Sequence, residues 1–69
     1  MNDEDYDWLG CVEYGNNNFF EIGRKKAGGA IIAAPHNDPG VELSIEEFIN
    51  EVPDIYQQEM YDDIKSLIK

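Results

Sequence analysis

Apolar and polar side chains alternate near the start of the chain, which is the pattern of a β-strand. Between Leu9 and Tyr14, Val12 and Tyr14 fall on one side and Cys11 and Glu13 on the other. This period of two predicts a strand with one buried face.

Two further strands follow in the pattern. The run Gly15-Asn16-Asn17-Asn18 tolerates left-handed backbone angles and predicts a hairpin turn into a strand over Phe19 to Ile22. The apolar run Ala30 to Ala34 ends at Pro35 and predicts a third strand, whose small side chains let a helix approach closely. The polar connection 23–29 between them carries the basic triplet Arg24-Lys25-Lys26, expected to be a solubilising loop tip or an internal partner of acidic residues.

The second half of the chain changes to a helical period. Ser44-Ile45-Glu46-Glu47 is a capping-box sequence and predicts a helix that starts at Ser44. Pro53 interrupts that helix, and Asp54 can cap a second one over Ile55 to Ile68. Apolar positions recur every three or four residues in both helices, which predicts one buried stripe in each: Ile45, Phe48, Ile49 and Val52, then Tyr56, Met60, Ile64 and Leu67 or Ile68.

These elements predict an α+β fold in which a small antiparallel three-stranded sheet, an N-terminal hairpin plus a third strand, is covered by two C-terminal helices. Residues 1–7, four of them acidic, are expected to be frayed, and residues 8–69 to form one domain. A chain of 69 residues can build one hydrophobic core and no more.

The charge narrows the classes of partner. Fifteen acidic and five basic residues give a net charge of −10. Like charge repels phosphate, so we expect no direct binding to nucleic acid or to an anionic membrane, and a basic protein as partner. A single cysteine and an acidic start without an apolar run indicate a cytoplasmic protein.

Residues suited to catalysis are scarce. The chain has one cysteine, one histidine and two serines, one of which is assigned to the helix cap. Asp3, Asp5 and Asp7 have the spacing that opens an EF-hand loop, but Trp8 replaces the glycine and Tyr14 the bidentate glutamate that such a loop needs. The sequence therefore predicts a protein that is not an enzyme and has neither a metal site nor a cofactor.

Acidic residues concentrate where the helices are predicted. The apolar stripes turn most of these carboxylates outward, and the pairs Glu47 with Glu51 and Glu59 with Asp63 place like charges four residues apart, which weakens a helix. Such pairs rise about 6 Å along the axis, similar to the spacing of phosphates on a nucleic-acid strand. The predicted partner-binding residues are Glu42, Glu46, Glu47, Glu51, Glu59, Asp62, Asp63, Asp3, Asp5, Asp7 and Trp8.

Two functions fit these observations. The first is an inhibitor that mimics nucleic acid and occupies a basic groove, similar in size and charge to small anti-CRISPR and anti-restriction proteins of phages and mobile elements. The alternative is an antitoxin, immunity protein or regulatory adaptor that docks through an aromatic patch with an acidic rim, with candidate anchors at Tyr6, Trp8, Phe19, Tyr56 and Tyr61. The sequence leaves open homodimerisation and an acidic surface that serves solubility alone.

Overall fold

A computed structural model describes residues 5–38 and 40–68. It contains four strands and two helices: β1 (Tyr6–Tyr14), β2 (Asn18–Lys25), β3 (Ile31–Pro35), β4 (Leu43–Ser44), α1 (Ile45–Glu51) and α2 (Asp54–Ile68). The strands form one antiparallel sheet in the order β1-β2-β3-β4. The predicted α+β class and the two C-terminal helices are confirmed, whereas the predicted number of three strands is wrong by one.

The fourth strand is too short to leave a pattern in the sequence. Leu43 and Ser44 pair with Ala33 and Ile32 of β3. They are extended because Ser44 is also the N-cap of α1, with φ −66° and ψ 161°. A cap residue has β-like angles before the helix begins, so it can complete a sheet edge when a neighbouring strand is close.

The N-terminal hairpin forms at the predicted turn. Gly15 and Asn17 have positive φ angles of 60° and 64°, which glycine and asparagine adopt most readily. Strand β1, however, begins at Tyr6, inside the segment expected to be frayed, because Tyr6 and Asp7 pair with Lys25 and Arg24.

Strand β2 continues three residues beyond its predicted end at Ile22. Gly23 faces Trp8 of β1, and Arg24 and Lys25 continue the pairing opposite Asp7 and Tyr6. A Cβ on Gly23 would lie 2.8 Å from Cε3 of the Trp8 indole. The glycine therefore does not break the strand here but makes room for the ring on the surface of the sheet.

The capping box fixes the start of α1 as predicted. The Glu47 amide donates to the Ser44 hydroxyl oxygen, and the Ser44 amide donates to the Glu47 carboxylate, each at 3.1 Å. The helix ends at Glu51, directly before Val52 and Pro53. The Gln57 side-chain amide then donates to the carbonyl oxygens of Ile49 and Val52 at 3.0 Å, which ties the start of α2 to the end of α1.

The core lies between the helices and one face of the sheet. Phe48 of α1, Met60 of α2 and Ile22 of β2 are completely buried, and Ala33 of β3 is the small residue in the same cluster. The opposite face of the sheet, here called the outer face, has neither helix of the described residues packed on it. It carries alternate residues of the strands, among them Trp8, Cys11, Glu13, Phe19 and Glu21, because their neighbours in sequence point into the core.

Candidate functional site

The exposed carboxylates of α1 lie on two sides of that helix. Glu46, Glu47 and Glu51 are all exposed, while Phe48 points into the core. At 100° per residue, Glu47 and Glu51 share the flank turned away from α2, and Glu46 lies on the side nearer to α2. The Glu47 carboxylate also accepts the capping hydrogen bond from the Ser44 amide, so this residue contributes to the start of the helix.

The carboxylates of α2 gather on one flank. Met60 and Ile64 are buried. Glu59, Asp62 and Asp63 lie within about one turn of one another on the exposed side that is turned away from α1. Ile55, with 81% of its surface exposed, precedes Glu59 by one turn on this flank. The Gln58 side chain donates to Asp62 at 3.0 Å, which holds that carboxylate on the helix surface.

A groove separates these two acidic flanks. Two adjoining hollows of about 350 and 300 Å³ lie between α1 and α2 and share Ile49 and Tyr61 as lining residues. Ile45, Glu46 and Asn50 complete one hollow, and Gln57 and Gln58 complete the other. This interhelical groove divides the helical surface on which the sequence predicts the outward-facing carboxylates.

The acidic flanks lack compensating cations. In residues 5–38 and 40–68 the ion pair joins Lys25 to Glu42, and the His36 imidazole lies 3.8 Å from the Glu21 carboxylate; neither contact involves α1 or α2. The basic side chain of the described part of these helices is Lys65, whose ammonium lies 4.7 Å from the centre of the Tyr61 ring. The negative charge of the flanks is therefore not neutralised within the described chain.

Glu42 differs from the other predicted binding residues because side chains of two strands bind its partly exposed carboxylate. Its carboxylate pairs with Lys25 of β2 and accepts a hydrogen bond from the Tyr6 hydroxyl of β1. These two contacts, that of Lys25 first, hold the pKa of Glu42 below its usual range. The same hydrogen bonds to Glu42 raise the pKa values of Tyr6 and Lys25.

Two of the three clustered basic residues serve the fold. Lys25 pairs with Glu42, so one of the two expectations for this triplet, an internal partner for an acidic residue, is realised. Arg24 donates to the carbonyl oxygen of Ile68 at 3.4 Å, at the C-terminal end of α2, where a cation is favoured by the helix dipole. Lys26 is exposed in the turn that follows β2.

The N-terminal acidic cluster is only partly described. Asp3 lies outside the described residues. Asp5 and Asp7 are exposed at the beginning of β1, and the Asp5 carbonyl oxygen accepts from the Lys26 amide at 3.1 Å. This end of β1 pairs with the end of β2, so Asp5 and Asp7 lie beside Arg24, Lys25 and Lys26 and away from the flanks of the helices.

The five candidate aromatic anchors do not form one patch. Tyr6 and Trp8 stack on the outer face with ring centres 5.2 Å apart, and Phe19 lies on the same face, 38% exposed and edge-on to His36. Phe19 is four residues from Gly23 along β2, about 13 Å at 3.3 Å per residue, and Glu21 lies between them.

The other two aromatic candidates lie on the helical side of the molecule. Tyr56 is half-buried and packs against Tyr14, with ring centres 5.8 Å apart. Tyr61 is 45% exposed in the interhelical groove.

The residues that could take part in catalysis or bind a metal ion are also dispersed. Cys11 is exposed on the outer face, and Nδ1 of His36 lies 3.8 Å from the Glu21 carboxylate. Among the described residues, no group of three or more His, Cys, Asp or Glu side chains is arranged to hold a metal ion. No helix in the described ranges has the length and apolar character needed to cross a membrane.

Sequence reasoning misses the interhelical groove. The signal was present in part, because Tyr61 directly follows Met60 of the buried stripe of α2, and Ile49 belongs to the predicted stripe of α1 but is only half-buried. That the two positions face each other follows from the packing of the helices, which the separate patterns do not specify.

No family model, curated protein or solved structure matches this chain.

Proposed function

We propose that this chain is a non-catalytic acidic protein that binds a basic surface of a partner protein, a surface built for nucleic acid, and so works as a nucleic-acid-mimicking inhibitor of the anti-CRISPR or anti-restriction type. The observation that carries the proposal is the pair of acidic flanks on α1 and α2. Their carboxylates are exposed and have no cation paired with them in the described chain.

The contrast with Glu42 supports this proposal. Where a carboxylate serves the fold, as Glu42 does, it is matched with a lysine and a hydroxyl donor. Glu47 and Glu51, and Glu59 and Asp63, instead repel each other four residues apart on their helices. For Glu47 the capping hydrogen bond from Ser44 offsets part of this cost. For Glu59 and Asp63, an arrangement that costs helix stability and has no cation paired with it in the described chain fits a role toward an external cation.

Binding of this kind is steered by charge. Opposite potentials accelerate the encounter of two proteins, and salt at physiological concentration screens them over about 8 Å. We therefore expect fast association and an affinity that falls steeply as salt increases. The bound partner would lose its nucleic-acid binding, because both ligands require the same lysine and arginine side chains.

The test is affinity capture from the source cell at low and high salt, with the captured protein identified by mass and then assayed for nucleic-acid binding. Glu59→Lys/Asp63→Lys should abolish capture. Glu13→Lys/Glu21→Lys is the matched control, because it changes the net charge equally but on the outer face. If both double variants weaken capture equally, net charge and not the helical flank is responsible, and the proposal is wrong.

A second candidate, an antitoxin, immunity or adaptor protein that docks through aromatic residues, is supported by a different observation. Neither helix of the described residues covers the outer face, and that face presents the Tyr6–Trp8 stack and the exposed Phe19 ring. The two candidates use opposite faces of the molecule. Variants on each face therefore separate them.

A further inference from the structure

The interhelical groove adds an apolar element to the acidic helical surface. Ile45 and Ile49 of α1 and Tyr61 of α2 line it, and Tyr61 keeps 45% of its surface exposed. A large aromatic side chain that is half-exposed between two helices is a frequent anchor point at protein interfaces.

The surroundings of the groove determine what fits it. Glu47 and Glu51 lie on the far side of α1, and Glu59, Asp62 and Asp63 lie on the far side of α2. Glu46 stands at the groove itself. The order across the helical surface is therefore an acidic flank, a groove with Ile45, Ile49 and Tyr61 as its apolar part, and a second acidic flank.

Resting on the proposed function, we propose that the groove receives an apolar side chain from a basic segment of the partner protein, and that lysine or arginine side chains on both sides of it reach the two acidic flanks. The charge complementarity selects a cationic segment, and the groove selects an uncharged, apolar side chain at its centre. Lys65 strengthens that selection, because its ammonium already occupies one face of the Tyr61 ring and repels a second cation there.

This arrangement distinguishes the protein from a mimic that works by charge alone. A mimic that works by charge alone would gain nothing from an exposed Tyr61. Apolar contact is insensitive to salt, whereas the carboxylate contacts are screened. The groove would therefore retain part of the affinity at salt concentrations that remove the electrostatic part.

The experiment uses two synthetic peptides of the same length and the same lysine and arginine content, one with leucine at its centre and one with serine. Their affinities for the full chain are measured by calorimetry at low and high salt, and the contacted residues are located by NMR chemical shifts. We expect the leucine peptide to bind about tenfold more tightly, which corresponds to about 1.4 kcal/mol and is somewhat less than full burial of a leucine side chain contributes. The ratio should persist at high salt, with the largest shifts at Ile45, Ile49 and Tyr61.

Two variants test whether the preference for the leucine peptide over the serine peptide arises in the groove. Tyr61→Ala should reduce the preference for leucine to about twofold or less, while Phe19→Ala, an exposed aromatic residue of the outer face, should leave it unchanged. The shift map of the unmodified protein provides a readout that does not depend on how either variant folds.

Failure of this inference is distinguishable from failure of the proposed function. Equal binding of the two peptides, lost in Glu59→Lys/Asp63→Lys, would overturn the role of the groove and leave the acidic docking surface intact. If neither peptide binds, or if the serine peptide binds Glu59→Lys/Asp63→Lys as tightly as the unmodified protein, both proposals are wrong.

Discussion

The indole of Trp8 lies directly over Gly23 on the outer face of the sheet, where a Cβ at position 23 would come within 2.8 Å of the ring. The contact joins the edge strand β1 to β2 at the place where Leu9 forms a bulge and shifts the register between Trp8 and Gly10. It explains why a glycine stands in the middle of a long strand.

Gly23→Ala should therefore destabilise the protein. The added methyl group meets the body of a rigid ring, so Trp8 must move, and we expect a loss of about 1–3 kcal/mol in the free energy of unfolding. In a Trp8→Ala background the obstacle is absent, and Gly23→Ala should then cost little. Denaturant unfolding of the two single variants and the double variant measures this coupling; strictly additive losses would contradict the contact.

Trp8→Ala also tests the aromatic docking hypothesis. Because the indole packs on Gly23 and stacks with Tyr6, its removal should lower the unfolding free energy by about 2 kcal/mol, whereas Phe19→Ala should change it by less than about 1 kcal/mol. If the helical flanks are the docking surface, both variants still bind the partner at a temperature where they are folded. Loss of binding in folded Trp8→Ala or Phe19→Ala would favour the outer face instead.

The cap of α1 offers a comparison between the two serines of the chain. Ser44→Ala removes the hydroxyl that accepts from the Glu47 amide, and we expect a loss of about 1 kcal/mol in stability. Ser66→Ala is the control, because Ser66 is exposed within α2, where alanine is the better helix former. Thermal unfolding should show a lower Tm for Ser44→Ala only, and equal shifts in the two variants would contradict the capping role.

The contacts of Glu42 predict a dependence of stability on pH. The pKa of Glu42 is lower in the folded state than its unfolded value of about 4.3, so its contribution is fully present above that value. The contribution is lost as the pH falls through the folded-state pKa. The pKa of Lys25 is raised in the folded state. The stability that the Lys25 ammonium contributes is therefore fully present below its unfolded pKa of about 10.4 and is lost as the pH rises through the folded-state pKa.

Glu42→Gln should therefore have a lower Tm than the unmodified protein at pH 7, and the difference should shrink as the pH is lowered below about 4. Glu13→Gln, at an exposed position of the outer face, is the control and should show a smaller difference. A Tm difference for Glu42→Gln that is independent of pH would mean that the carboxylate charge does not stabilise the fold.

Elements with local signals could be predicted from the sequence. The start of α1 depends on Ser44 and Glu47, three residues apart, and its end depends on Pro53, two residues after Glu51. The hairpin turn depends on Gly15 and the asparagines that follow it. In each case the residues that determine the backbone angles are neighbours in the chain. The stripe that buries Met60 and Ile64 follows in the same way from the period of one helix.

The candidate site was predicted less completely. The outward position of Glu46, Glu51, Glu59 and Asp63 follows from the helical stripes, and the structure places these residues on exposed helical surface. Glu42 could not be separated from them by sequence, because its partners Tyr6 and Lys25 lie 36 and 17 positions away.

The sequence alone thus determined the α+β class, the helix limits and the acidic character of the helices, since each depends on side chains within a few residues of one another. Only the tertiary structure decided the fourth strand, the pairing that extends β1 and β2 past Trp8 and Gly23, and the internal role of Glu42. It also decided that the acidic surface is two flanks with a groove between them, because the facing of Ile49 and Tyr61 depends on how two helices pack on one sheet.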